Sequence, residues 1–306
     1  MSTPQPLSHA APTTRRDGFV LAILGAIAFS GKSIIIKLAY RYGVDAVTLL
    51  MYRMLFALPL FLGLTWWAGR GKPRLTARDA RAILGLGFCG YYFSSFLDFA
   101  GLHYISASLE RLILYLNPTL VLALSVLLFR RPVRREQLLA LAVSYAGVLC
   151  VFAREVTLKG ANVPLGATLV FVSAVSYAVY LVFSGEEVRR LGALRLTGLA
   201  STAACIMCIA QFAVLRPLGA MAVAPQVLWL SVVNATVCTF APVLMVMMAM
   251  ERIGSPLTAQ TGTIGPLSTI FMAAIVLGEP FTVWVAAGTV LVLTGIWLLT
   301  RQVQAT

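Results

Sequence analysis

Charged residues are scarce in this chain: Lys, Arg, Asp and Glu make up 11% of its 306 residues. Soluble domains carry roughly 25% charged residues, whereas 59% of this chain is hydrophobic. A soluble core of this size could not cover so much apolar surface, so the composition excludes a soluble globular fold. Lipid must surround much of the chain, and the lipid bilayer is its first predicted partner.

Histidine is almost absent, with only His9 near the N-terminus and His103 further along the chain. A metal site needs a cluster of ligands, and a Ser-His-Asp triad needs a histidine beside a nucleophile. Neither histidine has such neighbours in the sequence. The chain is therefore not expected to be an enzyme, to bind a metal or to need a cofactor.

Two motifs that suggest chemistry fall inside apolar stretches. Cys205 and Cys208 have the spacing of a redox or zinc pair, but thiolates are unfavourable in hydrocarbon. Residues 85–90 match the dinucleotide fingerprint, which requires a preceding strand and the start of a helix. Inside a membrane span, small residues allow close helix packing instead. We therefore expect packing roles for both motifs, and no nucleotide-binding domain that could drive the chain with ATP.

The net charge of +13 is distributed in short basic clusters between apolar stretches, which does not favour nucleic acid as a partner. Ten apolar stretches are close to the ~20 residues that cross a bilayer. They are residues 19–40, 45–67, 82–103, 106–129, 136–153, 164–184, 196–215, 226–249, 254–277 and 281–300.

The Lys and Arg count predicts the orientation of these spans. With the N-terminus in the cytosol, inner segments hold 16 of these residues and outer segments hold four. Such a bias is the positive-inside pattern. Both termini are therefore predicted to be cytosolic, and residues 1–17 to be a disordered tail.

A constant shift of 148 residues relates the two halves of the chain. It converts Pro118 into Pro266 and Gly147 into Gly295, positions where the backbone itself is constrained. Each half, residues 18–155 and 160–301, contains five spans. Because five is odd, the second half enters the membrane inverted, and paired inverted repeats are an architecture of transporters that work by alternating access.

Ten helices in two repeats resemble the drug/metabolite transporter superfamily, in its EamA branch. The resemblance covers residues 18–301 and is carried by prolines that follow Asn117 and Gly265, and by Arg131-Pro132 and Gly278-Glu279-Pro280. The family often has a glutamate where the first half has Arg131, which weakens a shared role for Glu279. The chain is most similar to bacterial members that export aromatic amino acids. This implies an amino-acid exporter of the bacterial inner membrane.

Six charged residues lie inside predicted spans, where each is unfavourable unless it is paired or functional. One interpretation is that Asp98 and Glu110 pair with Arg53 and Arg111 as structural contacts. The other is that some cations bind a substrate carboxylate and an acid binds its ammonium group. The six residues are Lys32, Lys37, Arg53, Asp98, Glu110 and Arg111.

Helical spacing groups polar side chains into stripes that predict a substrate site. Tyr91, Ser95 and Asp98 share one face of the third span, and Arg111 and Tyr115 share one face of the fourth. The 148-residue shift relates Lys32 to Tyr180, Tyr91 to Thr239 and Tyr115 to Thr263. Tyr177 lies on the same stripe of the sixth span as Tyr180. The predicted substrate-binding residues are Lys32, Tyr91, Ser95, Asp98, Arg111, Tyr115, Tyr177, Tyr180, Thr239 and Thr263.

Pro118 and Pro266 are predicted hinges, because each removes a backbone hydrogen bond in mid-span. The carbonyl groups four residues earlier, on Leu114 and Gly262, should then be free to face a cavity.

An aromatic cavity with charges of both signs favours a zwitterion, hence amino-acid export. The alternatives are a carrier of phosphate-bearing metabolites or nucleotide sugars, favoured if Lys32 and Arg53 are unpaired, and a membrane protein that transports nothing. Proton coupling would be expected to use Asp98 or Glu110, whereas salt-bridged acids favour uniport.

Overall fold

The structure is a computed structural model that describes residues 12–129, 135–159, 162–262 and 264–304. Within these ranges every regular element is a helix, as the composition predicted. The first half contains α1 Pro12–Tyr40, α2 Ala46–Gly69, α3 Ala77–Gly87, α4 Ser94–Leu102, α5 Ala107–Leu114, α6 Asn117–Phe129 and α7 Arg135–Lys159.

The second half contains six α-helices in the described residues. They are α8 Val163–Leu191, α9 Ala193–Leu215, α10 Pro225–Ala235, α11 Ala241–Gly262, α12 Ile264–Met272 and α13 Val283–Gln304. Short π-helical segments follow α3 (Phe88–Phe93), α10 (Thr236–Phe240) and α12 (Ala273–Leu277), and one 3₁₀ turn covers Leu218–Met221.

Eight helical stretches are long and apolar enough to cross a membrane, which confirms a multi-pass membrane protein. Two further apolar helices, Ile264–Leu277 and Val283–Leu298, are shorter. The count of ten crossings therefore stays a prediction. The eight stretches are Arg16–Tyr40, Ala46–Gly69, Ala77–Leu102, Ala107–Leu128, Gln137–Thr157, Val163–Gly185, Ala193–Leu215 and Pro225–Ala249.

Several predicted span boundaries differ from the observed helices. The turn predicted at residues 250–253 is wrong at the level of the backbone, because α11 stays helical from Ala241 to Gly262. Residues 250–253 contain no proline, so this segment keeps all its backbone hydrogen-bond donors. The fourth span is broken between Leu114 and Asn117, immediately before the predicted hinge Pro118.

Contacts between α7 and α13 repeat under the 148-residue shift. A Cβ atom on Gly147 would lie 2.6 Å from the carbonyl oxygen of Gly288, and one on Gly295 would lie 2.7 Å from that of Ala140. The shift converts Gly147 into Gly295 and Ala140 into Gly288, so each contact maps onto the other. The two repeats therefore contribute equivalent contacts to the interface between α7 and α13.

A second pair of contacts, one made by a glycine on α1 and one by a glycine on α8, is related by the same shift. A Cβ atom on Gly18 would meet Ile253 at 2.6 Å, and one on Gly166 would meet Ile105 at 2.8 Å. Both pairs are related by the shift of 148 residues. The glycines that carry the sequence repeat therefore also carry close helix contacts, which is the usual role of small residues between membrane helices.

Gly288 offers a direct test of the α7–α13 contact. We expect Gly288→Ala to lower the stability of the protein by about 1–3 kcal/mol, the usual effect of overpacking. The added Cβ atom would lie 2.7 Å from the Gly147 carbonyl oxygen and 2.4 Å from Val151. Thermal unfolding in detergent would measure the loss. Gly185→Ala is the matched control, because a Cβ atom there meets nothing within 4 Å; equal melting temperatures for the two variants would contradict the packing.

Candidate substrate cavity

A central cavity of about 660 Å³ lies among the helices, and residues from both repeats line it. The structure brings eight of the ten predicted substrate-binding residues to its wall. These are Lys32, Tyr91, Ser95, Asp98, Arg111, Tyr115, Tyr177 and Thr239. They come from helices far apart in sequence, so the cavity exists only in the folded protein.

The two other predicted residues differ in their placement. Tyr180 is buried behind the wall, where its ring stacks on Tyr177 with centroids 5.5 Å apart. Its hydroxyl oxygen lies 3.0 Å from that of Tyr91, with the two rings edge to face. Tyr180 therefore positions two lining tyrosines. Thr263 lies outside the described residues.

The predicted hinge prolines lie in different settings. Pro118 is the second residue of α6 and is exposed. A proline in a first turn leaves no helical hydrogen bond unmade, so Pro118 stands at the start of a new helix. Pro266 is buried and lies three residues after residue 263, which is outside the described residues. Movement about either proline stays a prediction.

The carbonyl groups expected to be free before these prolines have side-chain donors instead. Asn117 Nδ2 donates to the Leu114 carbonyl oxygen at 2.7 Å, and the Tyr115 hydroxyl donates to that of Gly262 at 2.7 Å. Leu114, Tyr115, Asn117 and Gly262 all line the cavity. Tyr115 therefore links the break after Leu114 to Gly262 at the cavity wall.

Lys32 is the centre of a buried ion cluster. Its Nζ lies 2.6 Å from Asp98 Oδ2 and 3.7 Å from Glu110 Oε1. The interpretation that Asp98 and Glu110 pair with Arg53 and Arg111 holds for one pair, because Arg111 Nε lies 3.9 Å from Glu110 Oε2. Asp98 pairs with Lys32, and no ion pair with Arg53 is found among the described residues.

Ser33 links the two charges on α5 to α1. Its hydroxyl donates to Glu110 Oε2 at 2.8 Å and accepts from Arg111 Nη2 at 3.2 Å. Arg111 Nη2 also donates to the Phe29 carbonyl oxygen at 3.4 Å. The guanidinium of Arg111 is thus held by α1 as well as by its own acid.

Arg53 lines the cavity but was not among the predicted substrate-binding residues. It is 6% exposed and lines the cavity, with Nε donating to Thr239 Oγ1 at 3.0 Å. Its guanidinium lies 5.2 Å from the Phe99 ring centroid. Among the described residues, no hydrogen-bond partner of Nη1 is found, and no ion pair includes Arg53. An arginine within an apolar span was the signal that could have placed it in the site.

Several serines line the cavity but already donate their hydroxyl hydrogens to the backbone. Ser30 donates to the Gly265 carbonyl oxygen at 2.7 Å, Ser94 to that of Gly90, and Ser173 to that of Ser94. The wall is therefore closed by helix-to-helix hydrogen bonds. The charged groups, and Arg53 above all, keep the strongest unused binding capacity.

The cavity follows α1 from Ala22 to Lys32, about 15 Å at 1.5 Å per residue. The ion cluster stands at one end. At the other end the wall includes Leu181, Val246 and Thr258. Beyond the cluster on α1, the Tyr40 hydroxyl donates to the Phe99 carbonyl oxygen at 2.6 Å.

The EamA-like transporter family matches residues 16–153 and, a second time, residues 164–301. This chain belongs to that family. The second match begins and ends 148 residues after the first, the same shift that relates the prolines, the glycines and their contacts. Membership confirms the predicted family and the transporter class, and it agrees with the expectation that the chain is not an enzyme.

Two relatives from Bacillus subtilis (strain 168) are also transporters by name. The uncharacterized transporter YcbK is 32% identical over 268 residues, which cover 86% of each chain. The uncharacterized transporter YyaM is 27% identical over 153 residues, 49% of this chain and 46% of its own. A crystal structure with a TM-score of 0.62 and 16% identity aligns with 95% of this chain and 99% of its own, which shows the fold alone.

Glu279 of this EamA-family chain binds the start of α5 and does not line the cavity. Its carboxylate accepts from the backbone nitrogens of Ala107 at 2.8 Å and Ser108 at 3.3 Å. Glu155 accepts from the backbone nitrogen and the hydroxyl of Ser106 in the same turn. Carboxylates at a helix N-terminus are stabilising. The role of Glu279 is therefore to position α5, which carries Glu110 and Arg111.

Proposed function

We propose that this EamA-family transporter exports amino acids with aromatic or other large neutral side chains across the bacterial inner membrane. The observation that carries this proposal is the buried guanidinium of Arg53 beside an aromatic wall, whose Nη1 has no hydrogen-bond partner among the described residues. A carboxylate is the natural partner of a buried guanidinium, because it accepts two parallel hydrogen bonds. The aromatic or aliphatic part of the substrate would lie against the tyrosines.

The charges at the cavity favour one carboxylate over a phosphate group. Lys32 is paired with Asp98, and Arg111 is held near Glu110, so Arg53 is the cation with binding capacity to spare. A phosphate-bearing substrate was expected to require both Lys32 and Arg53 unpaired. Only Arg53 meets that requirement. A substrate with one negative group therefore fits the cluster better than a dianion.

The wall opposite the charges suits an apolar side chain. Tyr91 and Tyr177 line it, backed by Tyr180, and Phe61 adds a further ring. Aromatic rings pack edge to face or offset, as these tyrosines already do with each other. The volume of about 660 Å³ lies within the 300–1,000 Å³ that ligand pockets usually have. The ammonium group would be directed to Asp98, the acid that lines the cavity.

Alternating access between inverted repeats is the proposed mechanism. It is supported by the double match to the family and by contacts that exchange under the 148-residue shift. The Lys and Arg bias supports cytosolic termini. In that orientation the ion cluster lies in the outer half of the membrane, and Ala22, Val246 and Thr258 lie in the inner half. The cavity would then receive substrate from the cytosol.

Counterflow in proteoliposomes tests the substrate. Liposomes that contain the purified protein and unlabelled phenylalanine should take up labelled phenylalanine, and empty liposomes should not. Tryptophan, tyrosine and leucine should compete, whereas phenylalanine amide and a sugar phosphate should compete poorly. Uptake that only the sugar phosphate suppresses would reject the amino-acid assignment and support the alternative. Absence of uptake would reject the amino-acid assignment too.

Gly90 tests the tyrosine wall. A Cβ atom at this position would lie 2.5 Å from the ring of Tyr180, so Gly90→Ala must displace that ring. We expect phenylalanine to compete several-fold less well, while the fold persists. Gly85→Ala, one helical turn or so earlier on α3, meets nothing within 4 Å and is the matched control. Equal inhibition constants for the two variants would show that the tyrosines do not contact substrate.

A further inference from the structure

Two buried carboxyl groups in the ion cluster each have one oxygen without a partner. Asp98 is 2% exposed and Glu110 is fully buried. Asp98 Oδ2 and Glu110 Oε2 have donors in Lys32 and Ser33. Asp98 Oδ1 and Glu110 Oε1 have no hydrogen-bond donor in the part of the chain that the structure describes. A buried acceptor without a donor is unfavourable, so both oxygens call for a ligand.

The two acids are neighbours, although they lie on different helices. Both approach the same Lys32 Nζ, Asp98 Oδ2 at 2.6 Å and Glu110 Oε1 at 3.7 Å, so one ammonium group holds both carboxyl groups together. Two ionised carboxylates this close repel each other, and one proton between them converts the repulsion into a hydrogen bond.

The groups around the pair set the net charge of the cluster. Two cations, Lys32 and Arg111, contact the acids, so the cluster is neutral when both acids are ionised and carries one positive charge when one proton is bound. The charged or titratable groups that face the pair are Lys32 and Tyr40 on α1, Arg53 on α2, Arg111 on α5 and Cys238 in the second π segment.

We propose that Asp98 and Glu110 form a binding site for a single proton, shared between Asp98 Oδ1 and Glu110 Oε1. The proton binds covalently to one of these two oxygens and is donated in a hydrogen bond to the other. No other bond forms or breaks. It leaves Oδ2 of Asp98 on Lys32 and Oε2 of Glu110 on Ser33. The shared proton satisfies both unpartnered oxygens at once.

This site would couple amino-acid export to the proton gradient across the membrane. The inference rests on the proposed function. Asp98 lines the cavity and is the proposed partner of the substrate ammonium group. An ammonium group and a proton cannot both occupy the same carboxyl oxygen. Each would therefore weaken binding of the other, which is the reciprocal coupling that exchange requires. Proton entry would drive amino-acid exit.

Infrared difference spectroscopy tests the proton site without any substrate. Purified wild-type protein in lipid should show a protonated-carboxyl band that appears as the buffer is made acidic. Asp98→Asn and Glu110→Gln should each abolish this band, because the proton is shared. Asp45→Asn is the matched control, because this acid caps α2 outside the cluster and asparagine caps equally well. A band that survives in both cluster variants would overturn the site.

Flux against a gradient tests the coupling. With an inward proton gradient, wild-type liposomes should move phenylalanine outward against its own gradient. Glu110→Gln should retain counterflow at equal pH and lose uphill transport. Absence of counterflow in the wild type would reject the proposed substrate. The infrared result would still show whether the proton site exists. An intact band together with wild-type flux that ignores the pH gradient would reject exchange and leave uniport.

Discussion

Arg53→Gln should lower the apparent affinity for phenylalanine by about tenfold to a hundredfold. A hydrogen bond to a charged group contributes about 1.5–3 kcal/mol, and each 1.4 kcal/mol is a factor of ten. The Arg53 guanidinium lines the cavity with Nη1 unpartnered, and glutamine can keep the hydrogen bond to Thr239 while losing the charge. Competition in the counterflow assay would measure the change.

The same variant should lose the preference for a carboxylate. Wild-type protein should bind phenylalanine more tightly than phenylalanine amide, and Arg53→Gln should bind the two almost equally. Arg53→Lys, which keeps the charge but not the planar fork, should fall between them. Arg189→Gln removes an exposed cation at the end of α8 and is the control. An equal loss of acid and amide binding would assign Arg53 to the fold rather than to the substrate.

Lys32→Met should be strongly destabilising, by about 3–5 kcal/mol, because it leaves buried acids without their cation. Lys32 Nζ is the nearest partner of Asp98 and also contacts Glu110. The loss should be larger in mildly alkaline than in mildly acidic buffer, because a bound proton can replace the missing charge at low pH. Thermal unfolding at the two pH values would measure both effects.

A second substitution separates charge from packing. Lys32→Met combined with Asp98→Asn should be more stable than Lys32→Met alone, because the unpaired carboxylate is gone. The double-mutant cycle gives the interaction energy of the pair. Lys72→Met, which removes an exposed cation between α2 and α3, should leave the melting temperature unchanged. Independent, additive effects of Lys32→Met and Asp98→Asn would contradict the ion pair.

The membrane class and the repeat could be predicted from composition and spacing. Lipid leaves the backbone few options, because every buried N–H and C=O group needs a partner, so long apolar stretches become helices. Proline and glycine mark constrained positions, and their 148-residue repeat appears again in the two family matches and in the contacts of Gly147 and Gly295. Local chemistry was sufficient for these features.

Many residues of the cavity wall could also be predicted from helical spacing in the sequence. Stripes at helical spacing predicted Tyr91, Asp98 and Tyr115, and the structure places all three in one cavity. The π segment Phe88–Phe93 was not predicted. It depends on a small shift in backbone hydrogen bonding that no single residue type specifies.

Repeated membrane crossings, the relation between the two halves and the polar faces of the helices all follow from the order of residues along the chain. Which charges meet depends on how the helices pack. Lys32 and Asp98 are 66 positions apart and in contact at 2.6 Å, whereas Arg53 is left with an unpartnered nitrogen. Pairing between helices depends on their rotation and tilt, which arise from packing along their whole length, and residue spacing carries no such information.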